Sequence, residues 1–328
     1  MSDIPKIVLS GANGFLGSHL VDRLLKENFD IHCLVRKSSN LKWLKGKNIQ
    51  LHTCGLENLE ALKEVLEGAN YIFHLAGTVS SFDYEGYHRG NVDLSKNILD
   101  AALASSASIK NIVVTSSQAV SGPSTKNDLY ESVSNPVSWY GQSKLEQELL
   151  CKKYYHQLPI SIARPSIIYG PRDVEFLEFI QAVNMGIVPL VGKEDKPISS
   201  IYVEDLVEAL YQMAISEKTP GEIYHIASFE VLTWKELGAI CADNLAKNPL
   251  YLRLPHFVIK MAGALSGFMG KVKGRAPTFD SQKALEGVQP GWVCNVEKAK
   301  RDFNFEAKKS AKEALKETIA WYKENQIL

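Results

Sequence analysis

The sequence carries no excess of charge of either sign: 37 Lys and Arg balance 37 Asp and Glu over 328 residues. Without a net field there is no electrostatic footprint for nucleic acid, and no such partner is expected. Cysteine is sparse as well. Cys33, Cys54, Cys151, Cys241 and Cys294 are odd in number, scattered and never in a C-x-x-C pair, which argues against a disulfide framework or a zinc cluster. No metal site is expected, and a reducing, cytoplasmic setting fits. The N-terminus, MSDIPKIVLSG, lacks the basic flank and long apolar core of a signal peptide and reads as untargeted. No run reaches the roughly 20 apolar residues that span a bilayer. The nearest is PHFVIKMAGALSGFMGKVKGR, Pro255 to Arg275, interrupted by Lys260 and by glycines. It reads as a helix lining a pocket, with a surface helix that touches membrane as the alternative. Internal repeats and low-complexity linkers are also absent.

What is present is a core. With 45% hydrophobic residues the chain can bury one large α/β domain or two smaller ones. Short β-branched runs (KIVLS, DIHCLV, IQLHT, YIFHLAG, IVVTSS, ISIARP) alternate with helix-length segments over 18–26, 59–66, 91–104 and 140–155. That alternation predicts an α/β fold, a doubly wound parallel (Rossmann) sheet with helices on both faces. Beyond Pro165 it loosens into a smaller, mostly helical C-terminal region. PRDVEFLEFIQAV, YVEDLVEALYQMAI and TWKELGAICADNLA, the last capped by Thr233, read as helices, EIYHIAS as a late strand, and 308–325 as an amphipathic tail helix. Residues 1–165 are expected to bind the nucleotide, with 198–227 returning to them, and 166–328 mainly to bind substrate. The site should lie between the two, at the carboxyl ends of the strands.

KIVLS runs straight into GANGFLG, with glycines at 11, 14 and 17, and then into a helix. Gly11 permits a tight turn, Gly14 lets the backbone approach a pyrophosphate, and Gly17 packs helix against strand while the helix N-terminus faces the anion. Nucleotide binding follows. Where a cofactor without a 2′-phosphate would meet a carboxylate, eighteen residues past Gly17, the chain offers Val35, followed by Arg36, Lys37, Ser38 and Ser39. This basic cluster suits a 2′-phosphate and predicts a preference for NADP, with NAD as the alternative. The bland reading is a solvated basic turn, with Arg36 stacked on the adenine.

Tyr140 and Lys144, in SWYGQSKL, lie one helical turn apart. Just before them, IVVTSSQAVSG places Thr115, Ser116 and Ser117 at the carboxyl end of a strand. A hydroxyl from that edge and the phenol could converge on one substrate oxygen. A nearby ammonium would favour the phenolate and bring Tyr140 into range for proton transfer near neutral pH.

These motifs resemble those of the extended short-chain dehydrogenase/reductases, the NAD(P)-dependent epimerases, dehydratases and hydroxysteroid or dihydroflavonol-type reductases. GANGFLG, FHLAG (Phe73 to Gly77), TSSQAVSG, YGQSK, RPSIIYGP and YVEDLVEAL carry the resemblance over most of the chain. It implies Ser117, Tyr140 and Lys144 as the catalytic set, with Asn91 supporting the lysine region or a central helix. It implies cofactor contacts from the glycine turn (Gly11, Asn13, Gly14, Phe15, Leu16, Gly17), from Leu75, Ala76 and Gly77, from Thr115, and from Pro165 and Ile168 at the nicotinamide end. Where the family often has an aspartate near the adenine this chain has Gly55, so Leu56 and main-chain groups would serve. His74 reads as a packed histidine.

Three functions compete. The first is an NADP-linked oxidoreductase that interconverts a ketone and a secondary alcohol on a small apolar or ring-bearing substrate, with Phe257 to Phe268 helping to enclose it. The second is a nucleotide-sugar epimerase or dehydratase with tightly bound NAD, its diphosphate met by Arg172, Lys193, Lys271, Lys273 or Arg275. The third is a non-catalytic NADP-binding relative. The resemblance also implies a homodimer through 94–103 and 145–155, and the aromatics of 78–90 could stack on a substrate ring or close a lid.

Overall fold

The computed structural model describes residues 4–328. Strand β1 (Lys6–Ser10) turns through the glycine loop into α1 (Phe15–Leu24) and is followed by β2 (Asp30–Leu34), β3 (Gln50–His52), α2 (Leu59–Leu66) and β4 (Tyr71–His74). A short helix α3 (Tyr84–His88) passes through a π-helical turn (Arg89–Asp93) into α4 (Leu94–Leu103). β5 (Asn111–Thr115), α5 (Trp139–Lys152) and β6 (Ile160–Pro165) complete the alternation. Next come β7 (Ile167–Tyr169), α6 (Glu175–Asn184), β8 (Ile187–Val191), β9 (Pro197–Tyr202), α7 (Val203–Ile215) and β10 (Ile223–Ile226). The chain ends with β11 (Val231–Thr233), α8 (Trp234–Leu245), β12 (Leu250–Leu254), α9 (His256–Lys273), α10 (Ser281–Gly287), α11 (Glu297–Phe303) and α12 (Ala311–Glu324).

Seven strands form one parallel sheet in the order β3-β2-β1-β4-β5-β6-β10. The pleat sends alternate residues to opposite faces, and both faces are covered. Ile7 and Leu9 pack with Leu20, Leu24, Leu206 and Leu210 of α1 and α7. Val8, Ile72, Ile112 and Val114 pack with Leu62, Leu66, Ile98 and Leu99 of α2 and α4. The chain crosses from β1 to neighbours on either side, so a crevice opens at the carboxyl ends of β1 and β4.

The second region is mostly helical, as expected, and it also builds two small sheets: β7, β9 and β11 form one, and β8 pairs with β12 in the other. Of the segment 198–227, α7 and β10 return to the large sheet, whereas β9 belongs to the small one. A third core, with Tyr169, Phe176, Ile180, Val188, Leu237 and Ile319, holds this region together.

Candidate active site

The glycine turn is built as its spacing requires. Gly11 has φ +76°, and a Cβ there would lie 2.7 Å from the Ala76 nitrogen at the end of β4. A Cβ on Gly17 would overlap the Gly11 carbonyl oxygen, so only glycine lets α1 start this close to the strand. Gly14 caps α1 without a side chain, leaving first-turn N–H groups facing the rim, the arrangement that holds a phosphate.

One cavity of about 720 Å³ runs from this turn across the sheet edge into the second region, within the usual range for a small-molecule site. Gly14, Phe15, Leu16, Leu75 and Gly77 line it, as do Asn91, Thr115, Ser117, Tyr140, Lys144, Pro165 and Ile168. Gly11, Asn13, Gly17 and Ala76 are not among the residues that line it. Arg36 and Lys37 are exposed beyond β2, in a turn closed by Ser39, whose hydroxyl accepts from the Arg36 nitrogen at 3.1 Å. Leu56 is buried against Leu34 in the core and does not reach the cavity.

Ser138 starts α5 by accepting from the Gly141 nitrogen, and Tyr140 and Lys144 then project from successive turns. Lys144 Nζ donates to the Thr115 carbonyl and to Gln147 Oε1, each at 2.8 Å. Burial holds its pKa down, to about 8. Burial pushes the Tyr140 phenol up to about 12, against the pull of the Lys283 ammonium and the Ser117 hydroxyl. A second cation, Lys283, lies 5.7 Å from the Tyr140 ring centroid and draws the phenol down from the other side. Lys283 is paired with Glu286 at 3.3 Å. Both belong to α10, which clasps the start of α5: Ser138 Oγ donates to Glu286 Oε1 at 2.6 Å, and the Trp139 nitrogen donates to Gln282 Oε1 at 2.8 Å. No motif in DSQKALEG announced this role.

Asn91, in the π-helical turn, holds neighbours rather than reacting atoms. Its Oδ1 accepts from the Thr78 nitrogen and its Nδ2 donates to Thr78 O and Ser143 Oγ, at 2.8–3.0 Å. It is a positioning residue for α5. Gln147, Ser95, His74 and Ser10 continue inward from Lys144 as a buried hydrogen-bonded row. Burial drives His74 down to about 3, so it stays neutral. Further along α5 and β6, Glu148 and Arg164, each 1% exposed, pair at 2.6 Å. Arg164 also reaches Ser121 Oγ and the carbonyls of Glu131 and Val133, while Ser116 Oγ donates to Glu148.

The residues present fit a dinucleotide and a polar substrate atom. Thr115 Oγ1, Gln118 Nε2 and Ser166 Oγ are buried without hydrogen-bond partners, and all three residues line the cavity. Such groups carry a desolvation cost unless a ligand satisfies them.

The substrate end is walled by Val174, Phe176, Phe179, Ile198, Trp234 and Trp292. Asp173, Glu175, Glu178 and Glu286 also line the cavity; among the described residues Lys196 and Lys283 are its only cations besides Lys144, and no arginine lines it. Burial raises Asp173 to about 7 although it caps α6. None of the five cations considered for a diphosphate lines the cavity. Arg172 instead binds Ser18 and Asp22 and lies over Trp43. Phe257 to Phe268 do not enclose it either; Thr278 and Phe279, just beyond α9, do. In the 78–90 loop, Tyr87 is buried with its ring 6.4 Å from that of Tyr140, buttressing the phenol.

A doubly wound sheet whose switch-point crevice joins a glycine turn to a Ser-Tyr-Lys set defines a class, the enzymes that work with a bound nicotinamide dinucleotide. The chain belongs to the NAD dependent epimerase/dehydratase family, whose model matches residues 7–227. It is 27% identical to the ceramide reductase of Caulobacter vibrioides, over 88% of this chain and 85% of that one. It is 26% identical to the 2-alkyl-3-oxoalkanoate reductase of Shewanella oneidensis, over 94% and 84%. Among solved structures it resembles MoeE5 in complex with UDP-glucose and NAD, at TM-score 0.79 and 21% identity over 98% and 99% of the two chains.

Proposed function

We propose that the protein is an NADP(H)-linked oxidoreductase that interconverts a ketone and a secondary alcohol on an apolar substrate. One observation carries the reading. The substrate end joins aromatic and aliphatic walls to four carboxylates, with two lysines and no arginine. With Glu286 paired to Lys283 and Asp173 raised to about 7, Glu175 and Glu178 remain as acids that a nucleotide diphosphate placed there would have to approach while losing its hydration, whereas an apolar substrate gains from those walls. The two relatives named as reductases, of ceramide and of 2-alkyl-3-oxoalkanoates, support the same substrate chemistry. The absence of a carboxylate at Val35, with Arg36 and Lys37 beyond it, supports NADP.

The nicotinamide, when bound, supplies or accepts the hydride. The chain's own residues handle the proton and the geometry. In reduction, Tyr140 gives its phenolic proton to the carbonyl oxygen while Ser117 holds that oxygen by a hydrogen bond. Lys144 and Lys283 stabilise the phenolate left behind, and the apolar walls exclude water. We further propose a homodimer through α4 and α5, where Leu149 is exposed.

Purification without added cofactor, followed by fluorescence titration with NADPH and NADH and a screen of ketones, tests the reading. An empty site that prefers NADPH and turns over an apolar ketone is the expected result, with Tyr140→Phe abolishing turnover and leaving NADPH affinity within about twofold. NAD that copurifies tightly, with no net cofactor turnover, would replace it with the epimerase reading.

A further inference from the structure

The cavity leaves α9 unused. Along this helix Phe257, Met261, Leu265, Phe268 and Val272 recur at intervals of four, four, three and four, so they share one face. That face points outward: the five side chains are 63–69% exposed. The buried face is Ile259 followed by two glycines, Gly263 and Gly270. A Cβ on Gly263 would lie 2.6 Å from the Asp280 carbonyl oxygen, and one on Gly270 would lie 2.6 Å from Pro277 Cδ. Past Ile259 the helix is thus fixed to the body by glycine and presents its large apolar side chains to the outside, the reverse of an ordinary surface helix.

Its charge is one-sided. No acid occurs between His256 and Arg275, while Lys260 and Lys271 border the apolar stripe on one side and Lys273 on the other, with Arg275 following. Three acids of the adjoining segments are engaged elsewhere: Asp195 with Arg253 and Lys235, Asp280 as the cap of α10, and Glu286 with Lys283. Among the described residues no helix is long and apolar enough to cross a membrane. An apolar stripe edged by lysines on a helix that does not span is the pattern of one lying in the headgroup plane.

We propose that α9 is a docking surface for an anionic phospholipid bilayer. Phe257, Met261, Leu265, Phe268 and Val272 enter the acyl boundary, and the lysines meet the lipid phosphates. The segment directly after α9 brings Thr278 and Phe279 to the cavity wall, so a docked bilayer sits beside the site. A substrate drawn from that bilayer is the consequence, and this clause alone rests on the reductase reading.

The test is co-sedimentation of the full chain with phosphatidylcholine vesicles and with vesicles holding about 30% phosphatidylglycerol. The expected result is binding to the anionic vesicles at least about tenfold tighter than to the neutral ones and weakened by salt. Met261→Asp with Leu265→Asp should lose at least about tenfold of that binding, with an unchanged thermal melt and NADPH titration as evidence of folding. Lys271→Gln with Lys273→Gln should weaken binding to the anionic vesicles only. Failure of the wild type to sediment, or undiminished binding by the aspartate variant, overturns the proposal. So does a wild-type dimer that the aspartate pair makes monomeric without any vesicle binding, because a second copy then covers the stripe. NADPH affinity and turnover of a water-soluble ketone report on the reductase reading independently of every one of these outcomes.

Discussion

Replacing Glu148 with Gln keeps the side chain's size and one acceptor and removes its charge. Arg164 then holds a positive charge where both side chains are 1% exposed. With the charge centres about 4 Å apart and an effective dielectric of about 20, the lost attraction is about 4 kcal/mol. Buried pairs broken on one side lose about 3–5 kcal/mol. Arg164 retains Ser121 and two carbonyls as partners, which places the expected loss at the lower end, about 3 kcal/mol. Domains are stable by about 5–15 kcal/mol, so the variant should unfold at a clearly lower urea midpoint with an unchanged slope. Arg164→Met should cost a similar amount by stranding the carboxylate. The double variant should cost less than the sum of the singles by at least about 1 kcal/mol. Because Glu148 also accepts from Ser116, beside Ser117, kcat should fall as well. A loss under about 1 kcal/mol for Glu148→Gln, or strictly additive singles, would refute the account of this pair.

Two further predictions follow from the cavity. Lys283 stands 5.7 Å from the Tyr140 ring and is partly neutralised by Glu286, so its removal should raise the phenol by about one pKa unit. In Lys283→Met the acid limb of the pH profile for alcohol oxidation should move up by that unit, and oxidation near neutral pH should slow about tenfold; an unmoved profile would remove Lys283 from the site. Asp173, raised by burial to about 7 in the folded chain, keeps its proton there between about pH 4 and 7 while the unfolded chain loses it, so this group's contribution to stability falls as pH rises through that window. Asp173→Asn keeps a capping side chain and removes the decline. Its advantage in urea should be near zero at about pH 4 and a few kcal/mol, at most about 4, above pH 7. Equal differences at both pH values would count against a buried, protonated Asp173.

The Rossmann half was legible because its strands, apart from the exposed edge strand β3, are largely buried and read as continuous β-branched runs between helices. Its site was legible for a related reason: the glycine turn, Ser117, and Tyr140 with Lys144 are local motifs at the ends of those same elements. The second region offered less. β7 and β11 are three residues long, β8 contains Pro189 and β12 is largely exposed, so none shows a usable period. Lys283, Asp173 and the Glu148–Arg164 pair gain their meaning from contacts far apart in sequence, which no local pattern encodes. In α9 the apolar content was plain and its direction was misjudged. Gly263 and Gly270, seven residues apart on the opposite face, were the available sign that the small side faces inward.

The clasp of α10 on α5 makes the acidity of Tyr140 a shared property of both halves of the molecule. Ser138, Trp139 and the phenol meet Glu286, Gln282 and Lys283 within seven residues of one short helix. If that helix lifted away, the catalytic helix would lose a cap partner and the phenol its nearby cation in the same step. The proton transfer proposed for Tyr140 therefore draws on residues of both regions, and the loop between α9 and α10, which also walls the cavity, ties them together.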